Sequence, residues 1–280
     1  MTVATTTADG PLTSLIRRVH HVPTYVPEPG KLYEFLSVVL GLPVSWSMGG
    51  NDYFRSGAVF VGNCSIEAVR YARSSLAPKP DTPPMFQAVA FETHGFRAAI
   101  DELDARELGH FDVPPSTSIH DDEELTWHVS MLREPSSLPA PVFFLCELDH
   151  DIDAPRRDGS ESLEQAGVGP LGIVGLAEIV VGVPDVEVAA ALWHRLLGPS
   201  PTTGSASDRV SWELDDGVRF TIEAGPRSIR CLRLAVRSLE AAQAALRERG
   251  VRTALAGGGH NIRVSPYDAF GLNIWLTERP

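Results

Sequence analysis

The sequence predicts an α+β fold of four tandem strand–helix–strands modules in two similar halves. Three observations carry that prediction. The stretch "RRVHHVPTYVPEPGKLYEFLSVVLGLPV" returns as "VGLAEIVVGVPDVEVAAALWHRLLGPSP", with His21 and Glu178 157 positions apart and Gly41 and Gly198 separated by the same 157. A fixed offset of that kind marks internal duplication. "GNCSIEA" (62–68) and "GVRFTIEA" (217–224) then recur at nearly the same offset, each closing its unit on Ile-Glu-Ala. Finally, each helix pattern is followed by several strand patterns, an order that belongs to α+β proteins and not to a doubly wound parallel sheet.

The first module opens on the alternating strand "RRVHHVPTYV" (17–26), turns at a Pro/Gly-rich step and continues into the amphipathic "KLYEFLSVVLGL". Its Leu-Gly ending is a helix stop signal. The second module is the strand and helix of "FQAVAFETHGFRAAIDELDARELG", followed by the strand patterns "LTWHVSMLRE" and "APVFFLCELD". The third runs from "VGLAEIVVGV" to "GVRFTIEA". The fourth is "IRCLRLAVRSLEAAQAALRERG" with the strands "HNIRVSP" and "LNIWLTE". Between the halves, "DHDIDAPRRDGSESLEQAGVG" is rich in Pro, Gly, Ser and charge and has no hydrophobic period, so it reads as a linker. The expected organisation is a tail over 1–14, an N-terminal domain over 15–150, a linker over 151–170 and a C-terminal domain over 171–280.

With 280 residues and 43% hydrophobic composition, the chain is able to bury a sizeable core. A net charge of −12 argues against nucleic-acid and anionic-membrane partners, which need a positive field. Cys64, Cys146 and Cys231 are far apart and lack CxxC spacing, which indicates neither a disulfide framework nor a cysteine-rich zinc site and fits a reducing cytoplasm. The opening "MTVATTTADGPLTS" has no basic and apolar signal-peptide pattern, and no apolar run reaches the length of a membrane span. Nucleophile-elbow, P-loop and dinucleotide fingerprints are lacking, and "AGGGH" sits outside any strand-to-helix phosphate context.

The βαβββ modules, with "HHVPTYV", "LYEFLSVVLGLPV" and "GNCSIEA" in order, resemble the vicinal oxygen chelate superfamily of glyoxalases, extradiol dioxygenases and bleomycin resistance proteins over nearly all of residues 15–279. The resemblance implies two domains of paired half-barrel sheets. It also implies a metal held by a His from a module's first strand and a Glu or His from its last, with positions left open for two neighbouring substrate oxygens. Imidazole and carboxylate suit a divalent cation such as Fe, Zn, Mn, Co or Ni. The fold alone does not name the reaction.

Carried onto this chain, the resemblance makes His21 and Glu67 the expected metal ligands. Strand alternation predicts that His20 faces the opposite side from His21, so that only one imidazole looks inward. The second module has Ala88 where a His is expected, and a third ligand or catalytic base is left to His128, Glu147 or His260. Glu178, Glu223, Cys231 and Trp275 stand at the corresponding places of the C-terminal half, which is expected to be a degenerate support. Trp46, Tyr53, Phe54 and Trp127 are expected to line an apolar pocket, and Cys146 reads as a small buried hydrophobe. The expected function is a metal-dependent dioxygenase, isomerase or lyase whose small organic substrate chelates the metal through two adjacent oxygens. The alternative is a metal-free protein of the same fold that sequesters an antibiotic or metabolite. The expected partner is a small-molecule substrate or ligand, with a homodimer left open.

Overall fold

The computed structural model describes residues 13–72, 77–79, 81–120, 123–138, 140–149, 161, 169–200 and 208–278. Nearly all of the expected tail and linker therefore lie outside the described residues. The first module is β1 (Ile16–Tyr25), α1 (Pro29–Glu34) running into a π turn (Phe35–Val39), β2 (Val44–Gly50), β3 (Phe54–Phe60) and β4 (Ser65–Tyr71). The second is β5 (Met85–Phe86), β6 (Ala88–Thr93), α2 (Phe96–Ala105), β7 (His110–His120), β8 (Glu123–Leu132) and β9 (Val142–Leu148). The third is β10 (Ile173–Val183), α3 (Val186–Leu197), β11 (Arg209–Glu213) and β12 (Arg219–Ala224). The fourth is β13 (Ser228–Val236), α4 (Leu239–Glu248), β14 (Thr253–Ala256), β15 (Asn261–Val264) and β16 (Ile274–Glu278). Among the described residues the third module has one strand fewer after its helix than the repeat predicts.

Modules one and two share one sheet, and modules three and four share the other. In the first sheet the order β4–β3–β2–β7–β8–β9–β6–β1 is closed by a parallel pairing of β1 with β4. The expected half-barrels thus join into a closed barrel, with β5 extending from β1. At the β2–β7 seam a single registered pair, Gly50 with Ile119, joins the two modules. The second sheet is open, in the order β11–β12–β10–β13–β16–β15–β14.

The sequence signals for helix ends have local causes. Asp185 caps α3 by accepting from the Val188 N–H at 3.0 Å, and Ser238 caps α4 by accepting from the Ala241 N–H at 3.2 Å. Each satisfies a first-turn donor that has no partner inside the helix. Gly41, the first Leu-Gly position, has φ +70°, and a Cβ there would sit 2.6 Å from the Pro170 ring. Both the left-handed backbone and the close approach require glycine.

Alternation along β9 divides two environments. Phe143 and Leu145 join the core, whereas Phe144 and Cys146 face a cavity inside the barrel. On the core side, Phe91 and Phe143 meet Trp193 of α3 and Phe220 of β12. Ring centroids lie 5.0 Å apart for Phe143–Trp193, 4.3 Å for Trp193–Phe220 and 5.8 Å for Phe91–Phe220. The Phe143–Trp193 and Phe91–Phe220 contacts are edge to face and Trp193–Phe220 is tilted, and aromatic pairs of this kind stabilise beyond the area they bury. The two halves consequently share one core. Among the described residues no helix is long and apolar enough to cross a membrane.

Candidate metal centre

The barrel encloses a cavity of about 290 Å³, and strand alternation decides what reaches it. Glu67, Val69 and Tyr71 line it from β4, and Trp127, Val129 and Met131 line it from β8. Each set is an i, i+2, i+4 series on one face of a strand. His21 enters from β1 and Phe144 and Cys146 from β9. Tyr53 stands at the mouth, 62% exposed, beside Phe54.

His21 Nε2 lies 3.6 Å from Glu67 Oε2, and both residues are buried. The parallel β1–β4 ladder sets this approach by pairing His21 with Ser65 and Pro23 with Glu67. Burial pushes the Glu67 carboxyl up to about 7, with the neighbouring Ser56 side chain acting in the opposite, lowering direction. The Tyr71 phenol is raised as well, by burial first and by the charge of Glu67 second. The His21 imidazole is walled by Trp46 at 5.8 Å, Trp127 at 5.6 Å and Phe144 at 5.8 Å between centroids, all edge to face. Trp46 and Trp127 themselves approach to 5.6 Å.

His20 does not obey the expected alternation. It is as buried as His21, and the two Nδ1 atoms lie 2.7 Å apart. The cause is in the β1–β6 ladder, which slips register between Val19 and His21. Such an irregularity re-aims side chains and breaks the two-residue period. His20, His21 and Cys146 each offer a ligand atom, all within 4.8 Å of one another.

The other expected donors lie elsewhere. Because Trp127 and Val129 point inward, His128 points outward, and its Nε2 is 2.7 Å from Asp149 Oδ1. Glu147 is its exposed cross-strand partner. His260 is exposed in the turn between β14 and β15 of the second sheet. None of these three lines the cavity. Ala90, and not Ala88, stands opposite His21. Of the four aromatics expected in the pocket, Tyr53, Phe54 and Trp127 line it, and Trp46 backs His21. Among the lining residues that the sequence reading missed are Tyr71, Met131, Phe144 and Cys146, and some are recoverable. Counting by twos from Glu67 reaches Tyr71, and from Trp127 it reaches Met131.

In the second sheet Glu178, the counterpart of His21, is buried among cations. It accepts from the Thr221 hydroxyl at 2.6 Å and pairs with Arg233 at 3.1 Å and with Arg209. Glu223 pairs with Arg230 at 3.1 Å. Guanidinium groups already balance these carboxylates, so the corresponding place in this half offers no vacant donor pair.

No protein-family model matches the chain, and no curated protein sequence matches it significantly. Solved structures do. The 2,3-dioxygenase LapB from Pseudomonas sp. KL28 superposes with TM-score 0.61 at 14% identity, over 96% of this chain and 93% of that one. A variant of homoprotocatechuate 2,3-dioxygenase from Brevibacterium fuscum gives 0.60 at 12% identity, over 97% and 73%. The Mn(II)-bound glyoxalase from Novosphingobium aromaticivorans gives 0.58 at 13% identity, over 95% and 83%. The chain has the vicinal oxygen chelate fold.

Within this vicinal oxygen chelate fold, the described residues bring two sets of donors to His21: Glu67, 3.6 Å from its Nε2, and His20 with Cys146, whose ligand atoms lie within 4.8 Å of one another and of His21. A buried carboxylate whose charged form is disfavoured by desolvation gains most from a neighbouring positive charge. Glu67 is such a group, and the imidazole nitrogen beside it is a second donor facing the same cavity.

Proposed function

We propose that the chain is a metal-dependent enzyme of the vicinal oxygen chelate type, acting on a small organic substrate through two adjacent oxygens. The observation that carries this reading is the 3.6 Å approach of His21 Nε2 to Glu67 Oε2, both facing one aromatic cavity. These two side chains would hold a divalent cation, of the set Fe, Zn, Mn, Co and Ni, and a Mn(II)-bound glyoxalase is among the proteins that share this fold. The cation would supply Lewis acidity toward the substrate oxygens.

The remaining roles belong to the chain itself. Trp46, Trp127 and Phe144 wall the imidazole with flat apolar surfaces that exclude water and suit a planar substrate. A cavity of about 290 Å³ is at the small end for ligand pockets and selects a molecule of one ring or its equivalent. The Tyr71 phenol keeps its proton and presents a donor to that molecule. The three cysteines are free thiols, which fits a reducing cytoplasm.

Metal analysis of the chain purified without chelator tests the reading. One transition metal per chain, lost in His21→Ala and in Glu67→Ala, supports it. Equal metal content in wild type and His21→Ala removes it. A second reading, metal-free sequestration of an antibiotic or metabolite, is favoured by Ala90, which puts a methyl group opposite His21 in place of a ligand. Tight binding of an aromatic ligand by a metal-free chain would select that reading.

A further inference from the structure

We infer that Cys146 supplies the third protein donor of this centre, making it a mixed nitrogen–oxygen–sulfur site for a thiophilic divalent cation. The inference rests on the reading that a metal lies at His21 and Glu67.

The pseudo-twofold relation between modules one and two carries it. His21 of β1 and Ala90 of β6 pair with each other across the seam and are therefore equivalent positions. In module one, His21 pairs with Ser65 on β4, and the inward residue two further along is Glu67. In module two, Ala90 pairs with Phe144 on β9, and the inward residue two further along is Cys146. Cys146 thus holds in module two the place that Glu67 holds in module one. The second module lacks a donor on its first strand but keeps one on its last.

Independent geometry places Cys146 beside the ligand histidine. Cys146 is 2% exposed and lines the same cavity as His21 and Glu67, and its sulfur lies within 4.8 Å of a ring nitrogen of His21 and of one of His20, a group to which Glu67 does not belong. Cys64 lies in the main core and Cys231 in the second sheet, so neither reaches the cavity. His20 does not line the cavity, and its Nδ1 meets His21 Nδ1 at 2.7 Å. When His21 donates in that contact, its Nε2 is unprotonated and faces Glu67 as a ligand must. His20 is then the positioning residue behind the ligand, as outer partners of metal-bound histidines commonly are.

The chemistry follows from the donor set. One imidazole, one carboxylate and one thiolate balance a doubly charged cation with two anionic groups, and three protein ligands leave a position open for substrate. On binding, the Cys146 S–H bond breaks as a sulfur–metal bond forms, a proton held on Glu67 is displaced as its oxygen ligates, and both protons leave to solvent. A thiolate favours zinc over manganese.

Cobalt(II) titrated into the full reduced chain reads the sulfur directly. The expected result is one cobalt per chain with a near-ultraviolet thiolate-to-cobalt charge-transfer band. That band persists in Cys64→Ser and Cys231→Ser and disappears in Cys146→Ser, whose cobalt affinity falls at least 10-fold. X-ray absorption of the zinc-loaded wild type, with a sulfur scatterer at about 2.3 Å, gives the same answer without a variant. One bound cobalt with no thiolate band, or a band that survives Cys146→Ser, overturns the inference and leaves the His21–Glu67 reading standing. A wild type that binds no metal overturns both.

Discussion

The Nδ1 atoms of His20 and His21, neighbours in the chain, lie 2.7 Å apart inside the barrel, so one imidazole donates to the other. Two adjacent strand residues meet in this way only because β1 slips register against β6 at this point. His20→Ala removes the group that fixes the tautomer of His21. Loss of such an outer partner costs about 10–100-fold in metal affinity, which competition against a coloured chelator measures. An unchanged affinity would show that His20 does not orient the site.

Glu67 makes stability depend on pH in a defined direction. Its folded value of about 7 lies above the ordinary 4.5, so the folded chain keeps a proton that the unfolded chain loses. The stabilising contribution is complete below about pH 4.5 and is lost as pH rises to about 7, a span worth on the order of 3 kcal/mol. Urea titrations of chelator-stripped protein should show stability falling over that window, and Glu67→Gln should flatten the fall.

His128→Ala and Glu147→Gln should leave metal content unchanged. The His128–Asp149 pair is on the outer face of the barrel, and partly exposed ion pairs contribute about 1 kcal/mol or less. Thermal melts and metal analysis of both variants check this. A loss of metal in either would mean that the strand faces have been assigned the wrong way round.

Glu178→Gln separates the two halves chemically. It strips the buried charge that Arg233, Arg209 and Thr221 converge on, and should destabilise the chain by about 1–3 kcal/mol. Metal content should stay at the wild-type level. A drop in metal would place a cation in the second sheet as well.

Much of the fold was legible because the matching stretches stand at a fixed offset in the letters themselves. The 157-residue offset between Gly41 and Gly198 marks two helix ends with positive φ, a backbone requirement that glycine meets in both halves. His21 and Glu67 were legible for the same reason, as matching ends of one module. His20 and Cys146 were not. A register slip between strands is a relation between β1 and β6, and nothing in "VHHV" announces it. His128 was misassigned for want of a face. Its neighbour Trp127 already occupied the inward position, and alternation anchored on that tryptophan would have turned His128 outward.

The contact of Trp193 with Phe143 and Phe220 has a consequence for how the chain comes apart. The repeat suggests two halves that could be exchanged or melted separately, yet this side chain of the second half completes the packing of the first. Neither half closes its own interior, so unfolding should be a single cooperative event in which the cavity and the arginine-lined sheet are lost together. The two similar halves should then melt as one thermodynamic unit, with the arginine-lined half serving as a wall of the half that holds His21 and Glu67.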